Sequence, residues 1–509
     1  MTGGRMCAPC SASSCRARRA NARMRVLLVY SNRTRDLILA PPIGLSYVAS
    51  ATRSAGHMVR FLDLLTAPDP DAALDTALRE FAPDVVGISV RNIDNVVCQR
   101  LQTHLGELAQ FITKIRQTTG ERVPIVLGGP AISILGSAVL AHVDADYAVR
   151  GEGEITFPAL LAALEAGREP GSVPGVCTRG SGRAHDSLPT RLPTFGASGM
   201  QDWIDWKKYA RHGGTFAIQT KRGCPMSCSY CSYPDIEGQK LQRRDPVDVV
   251  DEIETVQRTL APRTFEFVDS TFNLPESHAL AICEEIVRRR LKVNLTTMGI
   301  NPRATSAELF ALMKRAGFNS MMITPESGSD TMLASLDKGF DMLDVERTTQ
   351  LARASGLHST WFFMLGGPGE TRTTVNETLA FVERALAGPQ FLSVFMTGIR
   401  MLPGTRLAAA HAAPGTDLAQ STFFFSSLVS EAWMLERINT IIYRQSNVVH
   451  AAEEGSSRQE RALHRVLHWL GVAPPYWRFL PRLLSFPLLH ALRRRHPSIG
   501  NLPRRLRTA

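Results

Sequence analysis

Three cysteines within eight residues, Cys224, Cys228 and Cys231, constrain this chain more than any other feature. Gly223 and Pro225 stand at the mouth of the segment, so the loop can fold three thiolates toward one point. Thiolates are the ligands of soft metal centres and iron–sulfur clusters. Four cysteines would close a [4Fe–4S] cluster, whereas three leave one iron free to bind a small molecule. The spacing therefore predicts a metal centre with an open coordination position.

The pattern C-x-x-x-C-x-Φ-C, with Tyr230 as the aromatic residue, resembles the signature of the radical S-adenosylmethionine (SAM) superfamily. The resemblance implies that the three cysteines hold a [4Fe–4S] cluster and that SAM chelates the free iron. One electron from the cluster then cleaves SAM to a 5′-deoxyadenosyl radical, and Tyr230 packs on the adenine. The alternative interpretation is a structural zinc site, which needs a fourth ligand; His212 is the nearest upstream histidine.

Composition limits the class of protein. The 509 residues, 44% of them hydrophobic, suffice for two or three domains with full cores. The formal net charge is +11, but eleven arginines and one acid follow residue 454, and five arginines and no acid precede residue 24. The remaining body therefore carries about −4, which argues against a nucleic-acid groove, and no nucleic-acid partner is expected.

Cysteine usage indicates the compartment. Nine cysteines, an odd number with three clustered, do not fit a disulfide framework, and an oxygen-sensitive cluster needs reducing surroundings. We therefore expect a cytoplasmic protein. No apolar run is long enough to span a bilayer, and residues 1–23 lack the apolar core of a signal peptide. These residues are predicted to be a disordered extension, unless the start codon lies downstream or Cys7, Cys10 and Cys15 form a second metal site.

Residues 24–165 alternate short Val/Ile/Leu-rich runs with amphipathic stretches, which predicts a Rossmann-like, doubly wound parallel sheet. Such a sheet binds ligands at the carboxyl ends of its strands. The fold class is therefore α/β. Strands are expected at Val26–Tyr30, Met58–Asp63, Val85–Val90, Ile125–Gly128 and Tyr147–Arg150.

Several turns of this region resemble the cobalamin-binding (B12-binding) domain that precedes many radical SAM cores. The matching segments are Pro41-Pro-Ile-Gly-Leu45, Ala55-Gly-His-Met-Val59 with Asp63, Pro83-Asp-Val-Val-Gly-Ile-Ser-Val90, Leu127-Gly-Gly-Pro130 and Val149-Arg-Gly-Glu-Gly-Glu154. Glycine at a strand end leaves room for a large ligand, and glycine at a helix start leaves N–H groups for its oxygens. The resemblance implies cobalamin contacts from Pro41, Gly44, Leu45, Ser89, Gly128, Gly129, Gly151 and Glu152.

The loop after the first strand departs from one variant of that domain. Domains that supply a lower histidine ligand to cobalt carry Asp-x-His-x-x-Gly there, whereas residues 31–41 of this chain contain no histidine. No histidine lower ligand is therefore expected. Arg91, at the end of the third strand, is a candidate for the neighbourhood below the cobalt. A salt bridge to Asp94 or Asp63 is the alternative.

Residues 166–213, rich in Gly, Pro, Ser and Arg, are predicted to be a linker whose tryptophans anchor it between domains. Residues 214–410 contain six strand–helix units, which match the partial (β/α)₆ TIM-type barrel of radical SAM proteins, with functional loops at the strand carboxyl ends. The cysteine loop follows the first strand. The expected strands are Thr215–Thr220, Thr264–Val268, Val293–Thr297, Ser320–Thr324, Thr360–Met364 and Ser393–Thr397.

Later strand ends complete the expected site. Glu326 and Ser327 match family positions that contact the ribose or amino group of SAM, and Gly366 and Gly367 match the glycine-rich turn beside it. Glu370 is expected to cap the following helix. The segment Asp269-Ser-Thr-Phe-Asn273 could orient substrate at the barrel mouth.

Residues 411–509 are predicted to be a helical, basic C-terminal region, with residues 421–470 helical throughout. Residues 477–495 interleave apolar and basic side chains, so peripheral membrane contact and packing on the protein itself both stay open. The domain order resembles class B radical SAM methylases, which implies methylation of an unactivated carbon in a natural-product or lipid intermediate. The expected electron donor is a flavodoxin or ferredoxin. A cobalamin-dependent cyclase or rearranging enzyme without methyl transfer is the alternative, and a noncatalytic sensor is a third.

Overall fold

The computed structural model describes residues 24–33, 39–180, 189–452 and 458–485. The predicted disordered extension at residues 1–23 lies outside the described residues, as does the end of the basic tail at residues 486–509. Within them, parallel sheets and helices form the predicted α/β structure. No helix in the described part of the chain is long and apolar enough to cross a membrane.

The first sheet is built from the elements that the alternating pattern predicts. In chain order they are β1 (Arg25–Tyr30), α1 (Ile43–Ser54), β2 (Met58–Asp63), α2 (Pro70–Phe81), β3 (Val85–Ser89), α3 (Leu105–Thr119), β4 (Ile125–Gly128), α4 (Pro130–Leu135), β5 (Tyr147–Val149), α5 (Gly153–Glu165) and β6 (Val176–Thr178). The strand order is β2-β1-β3-β4-β5-β6, and only the pair β5–β6 is antiparallel. The five predicted strands match β1 to β5 within one residue at each end.

Strand β1 shows why this sheet is covered on both faces. Val26, Leu28 and Tyr30 belong to one apolar core, and Leu27 and Val29 belong to another. Because successive side chains of a strand point to opposite faces, an unbroken apolar run needs helices on both sides. The core that contains Val26 continues into the second half of the molecule.

The second half contains the predicted partial barrel. Its elements are α6 (Trp206–Ala210), β7 (Phe216–Ile218), β8 (Lys221–Arg222), α7 (Tyr233–Glu237), β9 (Gln242–Arg243), α8 (Pro246–Thr259), β10 (Phe265–Phe267), α9 (Glu276–Arg288), β11 (Leu295–Thr297), α10 (Ala307–Ala316), β12 (Ser320–Glu326), α11 (Asp330–Ser335), α12 (Met342–Ser355), β13 (His358–Leu365), α13 (Arg372–Ala385), β14 (Phe391–Thr397), β15 (Ile399–Arg400), α14 (Arg406–His411), β16 (Phe423–Phe424), α15 (Glu431–Arg444), β17 (Val448–His450), α16 (Arg458–Trp469) and α17 (Leu480–Leu484).

Two groups of parallel strands form the barrel wall. The strands β7, β10 and β11 pair with one another, and so do β12, β13, β14 and β17. Isolated parallel bridges, Leu295 to Phe318 and Ile300 to Ile323, join the groups. The six predicted strands overlap β7 and β10 to β14 in order. The short antiparallel pair of β8 and β9 closes the base of the cysteine loop.

The sequence predicts a helical structure for residues 421–470, and this prediction is wrong in part. The region contains α15 and α16, but also β16 and β17. Val448 pairs with Ser393 and His450 with Phe395, so β17 extends the barrel wall by one strand. A strand of three residues is too short to show the periodicity from which strands are predicted.

The segment between the two halves packs against both. Its first part forms β6, so the first sheet extends beyond residue 165. The Trp203 indole N–H donates to Ser50 Oγ at 2.9 Å, and the Tyr209 hydroxyl donates to Asp63 Oδ2 at 2.8 Å. Trp206 is buried and stacks on Tyr209. These aromatic side chains anchor the segment, as the sequence predicts.

A buried ion pair joins the loop after β3 to the far side of the barrel. Arg400 Nε lies 2.8 Å from Asp94 Oδ2, and both side chains are at most 3% exposed. Beside them, Gln99 donates to Thr397 Oγ1 and to Glu431 Oε1. Asp94 therefore pairs with Arg400. In the described part of the chain, the predicted alternative, a salt bridge between Arg91 and Asp94, does not form.

Replacing Arg400 with Met should lower the free energy of unfolding by about 3–5 kcal/mol, because Asp94 is left buried without its counter-ion. Urea denaturation measures this loss. The matched control is Arg25→Met, which breaks the Arg25–Asp84 pair, whose side chains are each 43% exposed. That control should cost less than about 1 kcal/mol. Equal losses in the two variants would contradict the assignment of Asp94–Arg400 as a buried interdomain pair.

Candidate active site

The cysteine loop leaves the carboxyl end of the first barrel strands. Gly223 has φ +89°, and a Cβ there would overlap the Lys240 carbonyl group, so the turn into the loop requires glycine. The Cys224 N–H donates to Gly238 O at 3.0 Å, and the Cys231 N–H donates to Cys228 O at 3.2 Å. Cys224 is buried, whereas the other two cysteines are half-buried.

The electrostatics of the three thiols suit metal binding coupled to proton loss. Burial, with a smaller contribution from the neighbouring charges of Cys228 and Cys224, raises the pKa of Cys231 to about 12. Burial also raises the pKa of Cys224, against a hydrogen bond from the Met226 backbone N–H that lowers it. Thiols held this way exchange protons for a strongly bound cation rather than ionise alone.

The zinc alternative finds no support in the geometry. Among the described residues, no three His, Cys, Asp or Glu side chains converge closely enough to hold one metal ion. His212 Nδ1 lies 2.9 Å from the Lys208 carbonyl oxygen, and its charge acts on His464 and His468 rather than on the cysteines. Within the described part of the chain, His212 thus bonds to the end of α6 and not to the cysteine loop, so it is not placed as a fourth zinc ligand.

Beside the loop, Tyr230 and Glu326 come together with a residue that the sequence did not single out. The Tyr230 hydroxyl donates to Glu326 Oε1 at 2.9 Å, and Lys338 Nζ donates to the same hydroxyl at 3.0 Å. Burial raises the pKa of Glu326, and Lys338 lowers it. Glu326 has φ +71°, a strained conformation at the end of β12 that is typical of functional sites. No spacing pattern links Lys338 to the cysteines, so no sequence signal points to it.

Ser327 turns away from this cluster. Its hydroxyl lies 3.0 Å from Thr378 Oγ1 and accepts from the Ser329 N–H at 3.2 Å, and the residue is fully buried. These partners belong to the helix α13 and to the turn itself. The Ser327 hydroxyl therefore fixes the turn after β12, and the contact of this residue with SAM stays a prediction.

The glycine pair after β13 also faces protein. A Cβ on Gly366 would meet Met434 and Phe425, and one on Gly367 would meet Met332 at 3.0 Å. Gly366 also has φ +97°, which favours glycine whatever the space around it, and the contact of the two glycines with SAM stays a prediction. Glu370 does not cap the helix α13 either, because Thr371 is the N-cap residue. The Glu370 carboxylate accepts from the Gly366 N–H and from Thr374, which holds the turn in place.

The segment after β10 holds the cysteine loop rather than facing the barrel mouth. Asp269 accepts hydrogen bonds from the Thr220 N–H at 2.7 Å and from Lys221 Nζ at 3.2 Å, and its side chain is fully buried. Ser270 donates to Gly223 O at 3.1 Å. Asn273 donates to the Asn301 carbonyl oxygen at 2.9 Å, in the segment after β11. The expectation that these groups orient substrate is therefore wrong for Asp269 and Asn273.

The strand ends of the first sheet surround open space. Within 4 Å of the Cβ positions of Gly44 and Gly128 there is nothing, so both leave room for a ligand. Gly129 has φ +99°, and a Cβ at this position would overlap Val90 and Ser89. Glycine is therefore required here by the backbone conformation and by its close neighbours. Leu45, in contrast, lies in the apolar core, and Pro41 is half-buried at the start of α1.

A cavity of about 160 Å³ lies where the chain turns after β1 and β3. Its lining includes Ser31, Asn32, Arg91 and His104. Arg91 is exposed and, among the described residues, forms no ion pair with Asp94 or Asp63. Such a crevice between strands whose connections diverge is where doubly wound sheets bind ligands. His104, the N-cap residue of α3, also lines this cavity, although it lies outside the loop of residues 31–41.

Gly151 and Glu152 do not face open space but lie at the contact between the two halves of the molecule. A Cβ on Gly151 would overlap Pro189. Glu152 is 5% exposed; it accepts from the Leu192 N–H at 2.8 Å and lies 3.6 Å from Arg222 Nη1. Arg222, which directly precedes the Gly223 turn, also pairs with Glu154. The acidic motif thus binds the base of the cysteine loop, which its sequence alone did not indicate.

The two candidate regions are neighbours. The helix α4, which begins after Gly129, packs against α7, which begins after Cys231. Burial raises the pKa of Tyr30 in the first sheet and that of Tyr233 at the start of α7, and the charge of Arg91 opposes the rise at both residues. The crevice of the first sheet therefore opens beside the cysteine loop.

Two family models match the chain, in the order that the motifs predict. The B12 binding domain model matches residues 38–161, and the radical SAM superfamily model matches residues 218–382. The solved structure of the radical SAM methyltransferase TsrM from Kitasatospora setae, with cobalamin and a [4Fe–4S] cluster bound, has the same fold. Its TM-score is 0.76 at 23% identity, over 93% of this chain and 100% of that chain. The chain belongs to the cobalamin-dependent radical SAM enzymes.

Curated relatives include more than one reaction class. An uncharacterised methyltransferase of Pyrococcus horikoshii is 28% identical over 379 residues, 72% of this chain and 77% of that protein. Tryptophan 2-C-methyltransferase of Streptomyces laurentii is 27% identical over 432 residues, 72% of this chain and 71% of that protein. Anaerobic magnesium-protoporphyrin IX monomethyl ester cyclase of Synechocystis is 25% identical over 334 residues, 63% of this chain and 64% of that protein.

Glu237 should make stability depend on pH. Burial raises the pKa of this carboxyl from 4.5 to about 7, and its side chain accepts from the Gly223 N–H at 3.2 Å. Between these two pH values the folded chain keeps a proton that the unfolded chain has lost, so stability falls as the pH rises toward 7. Glu237→Gln should flatten this decline, measured as urea midpoints between pH 5 and 8.

The control for that series is Glu285→Gln. Hydrogen bonds from Arg288 and Arg289 hold the pKa of Glu285 at about 2, below the pH window. The control should therefore retain the wild-type decline. An unchanged decline in Glu237→Gln would show that the carboxyl does not titrate near neutrality.

Proposed function

We propose that this enzyme methylates an unactivated carbon atom of a small natural-product or lipid intermediate, using a [4Fe–4S] cluster, SAM and cobalamin. The carrying observation is the packing of α4, after Gly129, against α7, after Cys231. It brings the strand ends expected to bind cobalamin beside the loop expected to bind the cluster. The methyltransferases among the relatives support the same reaction class.

The donors present fit these cofactors. Cys224, Cys228 and Cys231 would hold the cluster and leave one iron open to SAM. Tyr230 and Glu326 would bind SAM, because a carboxylate suits vicinal hydroxyls or an ammonium group. Open space at Gly44 and Gly128, with Ser89 and Arg91 nearby, would receive cobalamin. When bound, the cluster cleaves SAM by one electron and cobalamin supplies the methyl group.

The residues of this chain would position the cysteine loop and exclude water from the site. Lys221 and Asp269 fix the strand end before the cysteine loop. The Tyr230 ring packs on an apolar cluster of Leu336, Met364, Ile399, Met401, Leu407 and Ala408. This cluster would exclude water from one wall of the site, and a reactive carbon held between the two cofactor regions would be shielded from solvent.

A second reaction class has its own support. The magnesium-protoporphyrin ester cyclases are relatives too, and they match this chain over about two thirds of its length. A cobalamin-dependent cyclisation or rearrangement without methyl transfer would use the same cysteine loop and crevice. The fate of the SAM methyl group separates this alternative from methylation.

The partners follow from the chemistry. Cluster reduction would take an electron from a flavodoxin or ferredoxin, and a reduced cluster would persist in a reducing, cytoplasmic compartment. The arginines of residues 477–495 would allow peripheral contact with an anionic membrane surface. The substrate would be a small molecule or lipid, and tryptophan, the substrate named for one relative, belongs in a first test panel.

Anaerobic reconstitution of the full chain with iron, sulfide, hydroxocobalamin, dithionite and deuterated-methyl SAM tests the proposal. We expect deuterated methylcobalamin and S-adenosylhomocysteine, detected by mass spectrometry, and deuterated product once a substrate from the panel is accepted. 5′-Deoxyadenosine without S-adenosylhomocysteine would favour the cyclase alternative. A protein that binds four irons but forms no SAM-derived product would contradict both.

Matched cysteine variants control the same assay. Cys224→Ala should abolish 5′-deoxyadenosine formation and lower the iron content. Cys283→Ala should leave both unchanged, because Cys283 is buried within α9, away from the loop. Persistence of 5′-deoxyadenosine in Cys224→Ala would contradict the cluster assignment.

A further inference from the structure

A short segment after α11, Leu336–Gly339, follows the cysteine loop along its length. The Ser229 N–H donates to Leu336 O at 2.9 Å, and the Ser227 hydroxyl donates to Asp337 Oδ2 at 2.8 Å. Lys338 reaches Tyr230, and a Cβ on Gly339 would lie 2.9 Å from the Met226 methyl group. Four consecutive residues thus contact four of the five loop residues from Met226 to Tyr230. The segment is too closely fitted to the loop to be an incidental neighbour.

Lys338 differs from the other three because it carries a charge into the interior. It is 4% exposed, and its ammonium group donates to the Tyr230 hydroxyl at 3.0 Å and lies 3.7 Å from Glu326 Oε1. Burying an ammonium group costs several kcal/mol unless nearby groups compensate. Glu326 is the one carboxylate that pairs with it among the described residues. A neutral side chain would avoid this cost, so the charge itself calls for an explanation.

The field of that ammonium group reaches the cysteines. Lys338 Nζ donates to the hydroxyl of Tyr230, which directly precedes Cys231 and follows Cys228 by two residues, so the ammonium group lies against the segment that carries both cysteines. A fixed positive charge in a poorly hydrated region favours any neighbouring group that gains negative charge. One-electron reduction adds one negative charge to an iron–sulfur cluster, and net charge and hydrogen bonding near the cluster set its reduction potential.

We propose that Lys338 is a positioning residue that raises the reduction potential of the cluster, by holding a buried positive charge against the Tyr230 hydroxyl beside Cys228 and Cys231. This inference rests on the cluster assignment of the proposed function. Glu326 acts in the opposite direction, because its carboxylate would disfavour the reduced cluster. The potential therefore depends on the balance between these two side chains.

A redox titration of the reconstituted full chain without SAM, followed by electron paramagnetic resonance, tests the proposal. Lys338→Gln should lower the equilibrium constant for cluster reduction at least tenfold, which is about 59 mV for a one-electron couple. Lys338→Arg retains the charge and should stay within about threefold of wild type by the same conversion. Lys240→Gln, which removes an exposed ammonium group from the same loop, is the matched control and should leave the potential unchanged.

A purely structural role for Lys338 predicts a different result, namely reduced iron content in Lys338→Gln with an unchanged potential for the clusters that form. That result would overturn the proposal. Should Lys338→Gln bind no iron, Glu326→Gln decides, because removal of the carboxylate should raise the potential; an unchanged potential there would also overturn it. Failure of the wild-type chain to bind iron would instead contradict the proposed function.

Discussion

The position of Arg222 is the constraint on which the candidate site depends. This side chain lies two residues before Cys224, yet its charge partners, Glu152 and Glu154, belong to the other half of the molecule. Its guanidinium group also lies over the rings of Tyr47 and Phe195, at 4.7 and 4.2 Å from their centroids. Planar stacking with paired carboxylates suits arginine and no other side chain. Removal of the two carboxylates would leave the buried charge of Arg222 uncompensated.

From that anchor, each part of the cysteine loop is held by a different element. Asp269 binds the strand end before it, Glu237 binds the Gly223 turn, and the segment Leu336–Gly339 follows its middle. A loop of this composition has little regular structure of its own, so its shape is set by these tertiary contacts. The same contacts explain how an otherwise irregular segment can hold three thiols in fixed relation to a neighbouring crevice.

Sequence reasoning succeeded where the physical signal is local. Buried strands such as β1 are continuous apolar runs, and the spacing of Cys224, Cys228 and Cys231 lies within one loop. It was less successful where a residue has several possible uses. A glycine can be needed because a neighbouring side chain leaves no room for a Cβ, as Met332 does at Gly367, or because a ligand needs the space, as the open surroundings of Gly128 allow. The glycine-rich sequence motifs do not distinguish these two cases.

Long-range partners were also beyond reach of the sequence. Glu152 was expected at a cofactor and pairs with Arg222, 70 positions away in the sequence, while Ser327 bonds to Thr378. Lys338 carries no motif at all. The choice among possible partners for a charged or hydroxyl side chain depends on how the two halves pack, which no window of the sequence contains.

Arg222 directly precedes the cysteine loop and pairs with Glu152 and Glu154 of the first half, so it should fix the position of that loop relative to the crevice after β1 and β3, where we propose that cobalamin binds. Pulsed electron paramagnetic resonance of the reconstituted enzyme, with cob(II)alamin and a reduced cluster, measures the magnetic coupling between these two centres. We predict one narrow distribution of coupling in the wild-type enzyme and a broad one in Arg222→Met at equal cofactor content. Two centres without measurable coupling in the wild type, or an unchanged narrow distribution in Arg222→Met, would contradict the account.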